Sequence, residues 1–301
     1  MRTFLRIDFI GKQKMICRFF SLGVFLAIIL LAANANAAAG KTEIDGAAGK
    51  LVLAYDVPPA RETVKGPVVI LCHGFTSWKG EPLLVAVSNA AIKAGFPVVR
   101  FDFNGHGESG GDFSKMTVSS EVDDLRRVME WVGKQPWGGT FLLVSHSQGG
   151  VVVGMACGMY SGIKGAVLLA PAGVLVDDSK SGRIFDARID PANPPETIPL
   201  FGGTRLLGGC YVRDAQKLPL YETVAKAGSL GVRSLCVIHG SADGVVPYSY
   251  GKRFADAASS ATVPCRAEFH LLYGADHGFS RREQEVADIT VFLLKKIIAK
   301  E

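Results

Sequence analysis

A serine flanked by small residues is the first candidate for chemistry in this chain. Ser147 lies in the segment 141–150 (FLLVSHSQGG), where an apolar run ends in small residues and helix-compatible residues follow. A strand that turns sharply into a helix leaves the central side chain exposed above a sheet, where its hydroxyl can act as a nucleophile. Ser145 stands where such turns ordinarily carry glycine. Taken alone, the segment also fits an ordinary strand-to-helix turn capped by a serine.

The base that would activate this serine is predicted to be a histidine, because a serine hydroxyl attacks only when a neighbouring group removes its proton. For a serine on a strand-turn-helix, the expected chain order is serine, acid, histidine. Three histidines follow Ser147 at a distance. His239 precedes the best acid, and His270 lies inside an apolar strand. His277 lies in a glycine-flanked loop after a strand (274–279, GADHGF) and is therefore the predicted base.

The acid that would orient this histidine is predicted to be Asp243. It follows a strand and a glycine-containing turn in the segment 238–247 (IHGSADGVVP). The alternative is that Asp243 only caps the helix that follows. Asp276 is the competing carboxylate, but it is adjacent to His277, so its side chain cannot easily reach the inner nitrogen of that imidazole.

Two backbone N–H groups are expected to stabilise the negative charge that forms on an attacked carbonyl oxygen. One is predicted at Gln148, directly after the serine, and the other at Phe75, in the loop 72–76 (CHGFT) after a buried strand. The loop 102–109 (DFNGHGES) contains His106 ahead of the serine and is assigned to structure around the site. No Cys-x-x-Cys pair or histidine cluster indicates a metal, and no cofactor is expected.

These residues all follow apolar strands that alternate with helical patterns from residue 66 onward. Continuous apolar strands between helices predict an α/β fold, with a mostly parallel central sheet and helices on both faces. Residues 171–230 interrupt the alternation after the sixth strand, with many prolines and glycines and only short helical patches. Because this segment begins at the carboxyl end of a strand, where α/β sheets bind ligands, we predict a lid over the site.

The first 37 residues are predicted to be an export signal, and residues 38–301 a single domain. Five basic residues precede the apolar stretch Phe19–Ala33, and 35–37 (ANA) fits a small-x-small cleavage site. A membrane anchor is the alternative, but this stretch is short for a bilayer span of roughly 20 residues. We therefore expect a periplasmic or secreted protein without stable membrane association. The signal holds a net +4 of the chain's +5, so no nucleic-acid partner is indicated.

The assembled motifs resemble those of bacterial feruloyl (cinnamoyl) esterases, which have the α/β-hydrolase fold. The resemblance covers about residues 50–298 and rests on HGF at 73–75, DFNGHGES at 102–109, HSQGG at 146–150, LLAPAG at 168–173, YVRDAQKLPLYE at 211–222, VIHGSADGVVP at 237–247 and GADHGFS at 274–280. It implies a triad of Ser147, His277 and Asp243. It also implies a small lid over an aromatic acyl pocket.

The same resemblance assigns finer roles. It implies an oxyanion hole from the backbone N–H groups of Phe75 and Gln148. Tyr211 and Asp178 match lid positions that contact the phenolic ring of the substrate. Ser145 and residues 174–203 depart from the family pattern.

The sequence thus predicts an exported serine carboxylesterase that hydrolyses hydroxycinnamate-type esters through an acyl-enzyme. Its expected partner is a small-molecule or saccharide-linked ester. The enzymatic alternative is a short-chain esterase, thioesterase or acyl-peptidase, because a fold does not settle the substrate. The alternative from another class is a non-catalytic binding module that keeps the hydrolase scaffold.

Overall fold

The computed structural model describes residues 38–299, so the predicted export signal lies outside the described residues. The strands are β1 (Ala38–Asp45), β2 (Lys50–Val57), β3 (Val68–Cys72), β4 (Val98–Phe101), β5 (Phe141–His146), β6 (Ile163–Leu169), β7 (Arg183–Ile184), β8 (Ala187–Arg188), β9 (Thr197–Leu200), β10 (Arg205–Gly208), β11 (Ser234–Gly240) and β12 (Arg266–Leu272). The helices are α1 (Pro82–Lys93), α2 (Val118–Gly133), α3 (Gln148–Cys157), α4 (Val174–Ser181), α5 (Gly209–Ala215), α6 (Leu220–Val224), α7 (Tyr248–Ser259) and α8 (Glu283–Ile298). Within 38–299, no helix combines the length and apolar character that a membrane crossing requires.

Eight strands form one central sheet in the order β1-β2-β4-β3-β5-β6-β11-β12. The pairs β1–β2 and β2–β4 are antiparallel, and the remaining neighbours are parallel. Parallel neighbours need crossover connections, and the helices provide them. The predicted mostly parallel sheet is therefore confirmed, with an antiparallel hairpin at its leading edge.

The core lies on both faces of this sheet because its central strands carry apolar residues on both sides. In β3, Val68 and Ile70 pack into one hydrophobic cluster, and Val69 and Leu71 pack into the other. Helices α1 and α8 cover one face, while α2, α3 and α7 cover the other. Strands buried on both sides leave only their ends free to carry polar chemistry. The loops after these strands are thus where functional side chains can be presented.

Residues 171–230 connect β6 to β11 and contain more regular structure than the sequence indicated. They hold three short helices, α4 to α6, and two antiparallel hairpins, β7–β8 and β9–β10. The hairpin strands are two to four residues long, too short to show an alternating apolar pattern. The role of this segment as a lid stays a prediction.

Candidate active site

Ser147 lies at a sharp turn between β5 and α3. Its backbone has φ 54° and ψ −121°, a conformation that is strained for any residue other than glycine. Three hydrogen bonds hold it there: the N–H of Ser147 donates to Leu169 O at 2.9 Å, and its carbonyl accepts from Gly150 N at 2.9 Å and Ala172 N at 3.0 Å. A Cβ at Gly149 would lie 2.5 Å from the carbonyl oxygen of His73. The turn therefore needs glycine at position 149, two residues after the serine.

Ser145 occupies the position where such turns usually have glycine, and its side chain fits within the sheet. It lies at the end of β5, in register with Cys72 of β3 and Leu168 of β6. The residue is fully buried, and no group among the described residues hydrogen-bonds its hydroxyl. The extra hydroxymethyl is thus accommodated without distorting the strand, although its polar atom gains no partner.

The structure brings together the three residues predicted to form a triad. The loop after β12 places His277 Nε2 2.9 Å from Ser147 Oγ. The loop after β11 places Asp243 Oδ2 2.8 Å from His277 Nδ1. All three loops lie at the carboxyl ends of parallel strands, where α/β sheets bind their ligands. In this geometry the imidazole can accept the serine proton while the carboxylate stabilises the resulting positive charge.

Asp243 is held in its charged form although its side chain is fully buried. Burial opposes the charge, but hydrogen bonds from His239, His277 and the N–H of Val246 outweigh it and keep the pKa of Asp243 well below its ordinary value. Its Oδ1 also accepts from Val245 N at 2.9 Å. Asp243 therefore organises the turn before α7 and also contacts His277. The capping alternative is wrong, because α7 begins after Pro247 and no side chain caps it.

The competing side chains are directed elsewhere. Asp276 Oδ1 accepts from Ser280 N at 2.8 Å, so this carboxylate organises its own loop. His270 Nε2 lies 3.3 Å from Glu268 Oε2 on β12. His239, set aside as a base because of its place in the chain, is fully buried and donates from Nε2 to Asp243 Oδ2 at 3.1 Å. Sequence reasoning missed this second hydrogen-bond partner of the carboxylate.

His146, beside the serine, is another neighbour that the sequence did not identify. Its Nε2 donates to the backbone oxygen of His277 at 3.0 Å, and its Nδ1 lies 3.3 Å from Glu81 Oε1. Burial disfavours the charged imidazole, but the Glu81 carboxylate outweighs it and raises the pKa of His146 above its ordinary value. The residues at 146 and 147 therefore hold both the main chain and the ring of His277.

A cavity of about 690 Å³ opens beside Ser147, within the size range of small-molecule sites. Its wall includes both predicted oxyanion residues and both predicted substrate contacts: Phe75, Gln148, Tyr211 and Asp178. The Phe75 ring stacks on Phe185 of the β7–β8 turn at a centroid distance of 4.7 Å. Asp178 Oδ1 accepts from Arg183 Nη2 at 2.6 Å. Residues 171–230 thus supply much of the apolar wall.

Comparisons with known proteins find relatives of this chain in both sequence and structure. A family model described as "Alpha/beta hydrolase family" matches residues 69–289. The structure of Est1E from Butyrivibrio proteoclasticus with ferulic acid bound is 27% identical, with a TM-score of 0.78, over 86% of this chain and 99% of that one.

Two curated relatives match smaller shares of this chain. A Bacillus subtilis protein named "Putative esterase YitV" is 28% identical over 71% of this chain and 84% of its own length. An uncharacterised 31.7 kDa protein of Escherichia coli, from the traX-finO intergenic region, is 35% identical. That match spans only 28% of this chain and 29% of the E. coli protein.

Proposed function

The chain belongs to the alpha/beta hydrolase family, as the sequence predicted, and on that premise we propose that it is a serine carboxylesterase. The observation that carries the proposal is the continuous hydrogen-bonded line from Ser147 Oγ through His277 to Asp243. The strained backbone of Ser147 and the adjoining cavity support it. The similarity to Est1E and YitV supports ester substrates in particular.

The proposed reaction has two halves. Ser147 Oγ attacks the ester carbonyl while His277 Nε2 takes its proton, and Asp243 stabilises the imidazolium. The backbone N–H groups of Phe75 and Gln148 stabilise the oxyanion. When the tetrahedral intermediate collapses, the C–O bond to the alcohol breaks and His277 protonates the leaving alcohol. Water then attacks the acyl-enzyme while His277 takes its proton. The bond between the acyl carbon and Ser147 Oγ breaks, His277 returns the proton to Oγ, and the acid leaves.

Replacement of the serine tests this proposal. Ser147→Ala should lower kcat for p-nitrophenyl acetate by at least about 10³-fold, because only the oxyanion donors and binding remain. The matched control is Ser229→Ala, an exposed serine outside the cavity wall. Wild-type hydrolysis by purified Ser147→Ala would refute the proposal and would favour a binding module on the same scaffold.

We further propose that the acyl group is a hydroxycinnamate. Phe75, Phe185 and Tyr211 offer aromatic surface in the cavity, and Asp178 offers a carboxylate that can accept a hydrogen bond from a ring hydroxyl. The ferulic acid in the Est1E structure belongs to that protein, but the similarity supports the same acid class here. The alcohol half is proposed to be a small molecule or a sugar.

A paired comparison of substrates tests the acyl group. With Asp178→Asn, KM for ethyl ferulate should rise about three- to tenfold, whereas KM for ethyl cinnamate, which lacks the ring hydroxyl, should not change. The control is Asp177→Asn, which alters the neighbouring carboxylate outside the cavity wall. If ethyl butyrate or a thioester is hydrolysed much faster than ethyl ferulate, the short-chain esterase or thioesterase alternative is favoured instead.

Export is the remaining part of the proposal. The basic segment, apolar stretch and ANA sequence within residues 1–37 support cleavage after Ala37. Mass spectrometry of the protein recovered from the periplasm or medium of an expressing bacterium should find Ala38 at the amino terminus. Retention of residues 1–37 in a membrane fraction would favour the anchor alternative.

A further inference from the structure

A chain of buried hydrogen bonds lies behind the proposed oxyanion hole. Tyr211 donates its hydroxyl to Gln148 Oε1 at 2.8 Å, and Gln148 Nε2 donates to Glu121 Oε2 at 2.8 Å. The three residues are only 2–3% exposed. They lie in α5, α3 and α2, respectively. The hydrogen bonds therefore join the segment 171–230 to the core through Gln148, the residue directly after Ser147.

This hydrogen-bond chain fixes Gln148, the residue of the turn whose backbone N–H is proposed to donate to the oxyanion. Both polar ends of the Gln148 side chain have a partner, and its backbone begins α3 directly after Ser147. A side chain held at both ends restrains the backbone to which it is attached. Glu121 supplies the final acceptor, although it is not itself part of the cavity wall or of the triad.

The surroundings of Glu121 favour its uncharged form. Burial raises the pKa of Glu121 to about 8, the hydrogen bond from Gln148 opposes this increase, and the carboxylates of Asp124 and Asp214 add to it. The other ionisable groups that interact with it are also acids: the Cys72 thiol on β3 and the Tyr211 phenol on α5. The pKa of Tyr211 is raised as well, chiefly by burial. Tyr211 and Glu121, the two ends of this hydrogen-bond chain, are therefore neutral near pH 7.

We propose that Glu121 is a positioning residue of the oxyanion hole, whose protonated carboxyl holds Gln148, and through it Tyr211, without adding negative charge behind the oxyanion. This inference rests on the proposed ester hydrolysis. A neutral acid accepts the Gln148 hydrogen bond as a carboxylate would. An ionised Glu121 would repel the charge that develops on the carbonyl oxygen, and repulsion is strong in a buried site.

Because the oxyanion forms only in the transition state, the loss of Glu121 should change kcat more than KM. Glu121→Leu removes the acceptor and leaves Gln148 Nε2 without its partner. This variant should lower kcat for ethyl ferulate about 10- to 100-fold at pH 7, with KM within about twofold. Glu121→Gln keeps an acceptor oxygen and should lose far less.

The second readout is the pH profile between pH 6 and 9.5. Wild-type kcat should fall by about tenfold above pH 8 as Glu121 ionises, whereas Glu121→Gln, which cannot ionise, should keep its activity. The matched control is Glu130→Gln, which changes an exposed carboxylate on the same helix and should follow the wild-type profile.

Each outcome supports or overturns the inference. A kcat loss in Glu121→Leu together with a missing alkaline decline in Glu121→Gln supports it. An alkaline decline that persists in Glu121→Gln, or a loss confined to KM, overturns it. If Glu121→Leu does not fold, the profile of Glu121→Gln decides alone. If Ser147→Ala retains activity, the proposed function has failed instead, so the two failures are distinguishable.

Discussion

Two buried carboxyl groups lie on either side of Ser147, and their surroundings shift their pKa values in opposite directions. Asp243 stands behind His277, and Glu121 stands behind Gln148. The Asp243 side chain is 0% exposed and the Glu121 residue is 2% exposed, so burial penalises the charge on both. Yet the pKa of Asp243 is well below its ordinary value, whereas that of Glu121 is raised to about 8.

The number and type of hydrogen-bond donors account for the difference. Asp243 accepts from the backbone N–H groups of Val245 and Val246 and from the rings of His239 and His277. Glu121 accepts one bond from a neutral amide and faces other acids. A fixed negative charge is useful behind the proposed base, where an imidazolium forms, and harmful behind the proposed oxyanion hole.

The largest expected effect comes from converting the charged carboxyl to an amide. Asp243→Asn should lower kcat for ethyl ferulate about 10³- to 10⁴-fold near pH 7, because an amide can no longer stabilise the imidazolium or fix its tautomer. Steady-state kinetics compare this variant with Glu121→Gln, the same chemical change on the other side of the serine. A loss of kcat of less than tenfold in Asp243→Asn would contradict the claim that a charged carboxyl group is needed at position 243 but not at position 121.

A stability measurement sharpens the contrast next. Glu121 has a folded-state pKa of about 8 against an ordinary value of 4.5, so the folded protein keeps a proton that the unfolded chain has released between these values. The free energy of unfolding should therefore fall as the pH rises through this window, by about 5 kcal/mol at most. Glu121→Gln should remove most of that decline in urea unfolding at pH 5, 7 and 9. Parallel declines in both proteins would mean that Glu121 is already charged at pH 5.

The oxyanion side also has little space, which gives a third prediction. A Cβ at Gly74 would lie 2.9 Å from Ser147 Cβ and 3.5 Å from its Oγ. Gly74→Ala should displace the serine and lower kcat about 10- to 100-fold. The control is Gly133→Ala on α2, where nothing lies within 4 Å of the added Cβ. Full activity in Gly74→Ala would show that the loop after β3 can move away.

The smallest effect is expected at Ser145. Its buried hydroxyl has no partner among residues 38–299, so Ser145→Ala should raise the free energy of unfolding by about 1 kcal/mol with little change in kcat. Ser145→Gly should not give this gain, because glycine in a strand adds conformational freedom to the unfolded chain. Equal or lower stability in Ser145→Ala would indicate that the hydroxyl is solvated.

The sequence predicted the sheet and the convergence of Ser147, Asp243 and His277 because each lies in a glycine-containing segment just after a predicted strand. That signal is local, and the parallel sheet aligns the strand ends. Glu121, Glu81 and His239 gave no such signal. A glutamate within or next to a helix is ordinarily predicted to lie at the surface. A histidine at the end of an apolar strand is ordinarily predicted to pack in the core. Gln148 lies 27 residues from Glu121, His146 lies 65 residues from Glu81, and Asp243 lies 4 residues from His239, and the fold sets these contacts.

The segment 171–230 was predictable as an interruption but not in its internal structure. Strands of two to four residues with interspersed prolines and glycines carry no periodic pattern. Tyr211 was named for a substrate contact, and its ring does line the cavity. The bond from its hydroxyl to Gln148 depends on how α5 packs against α3, which no local pattern encodes.

The most direct measurement is covalent trapping of the nucleophile with a fluorophosphonate, followed by peptide mapping. One adduct per chain on Ser147, formed as ester hydrolysis is lost and blocked in Ser147→Ala and slowed in Asp243→Asn, is the predicted result. An unlabelled Ser147 in a protein that still hydrolyses esters, or inactivation through an adduct on another serine, would contradict the assignment of Ser147 as the nucleophile.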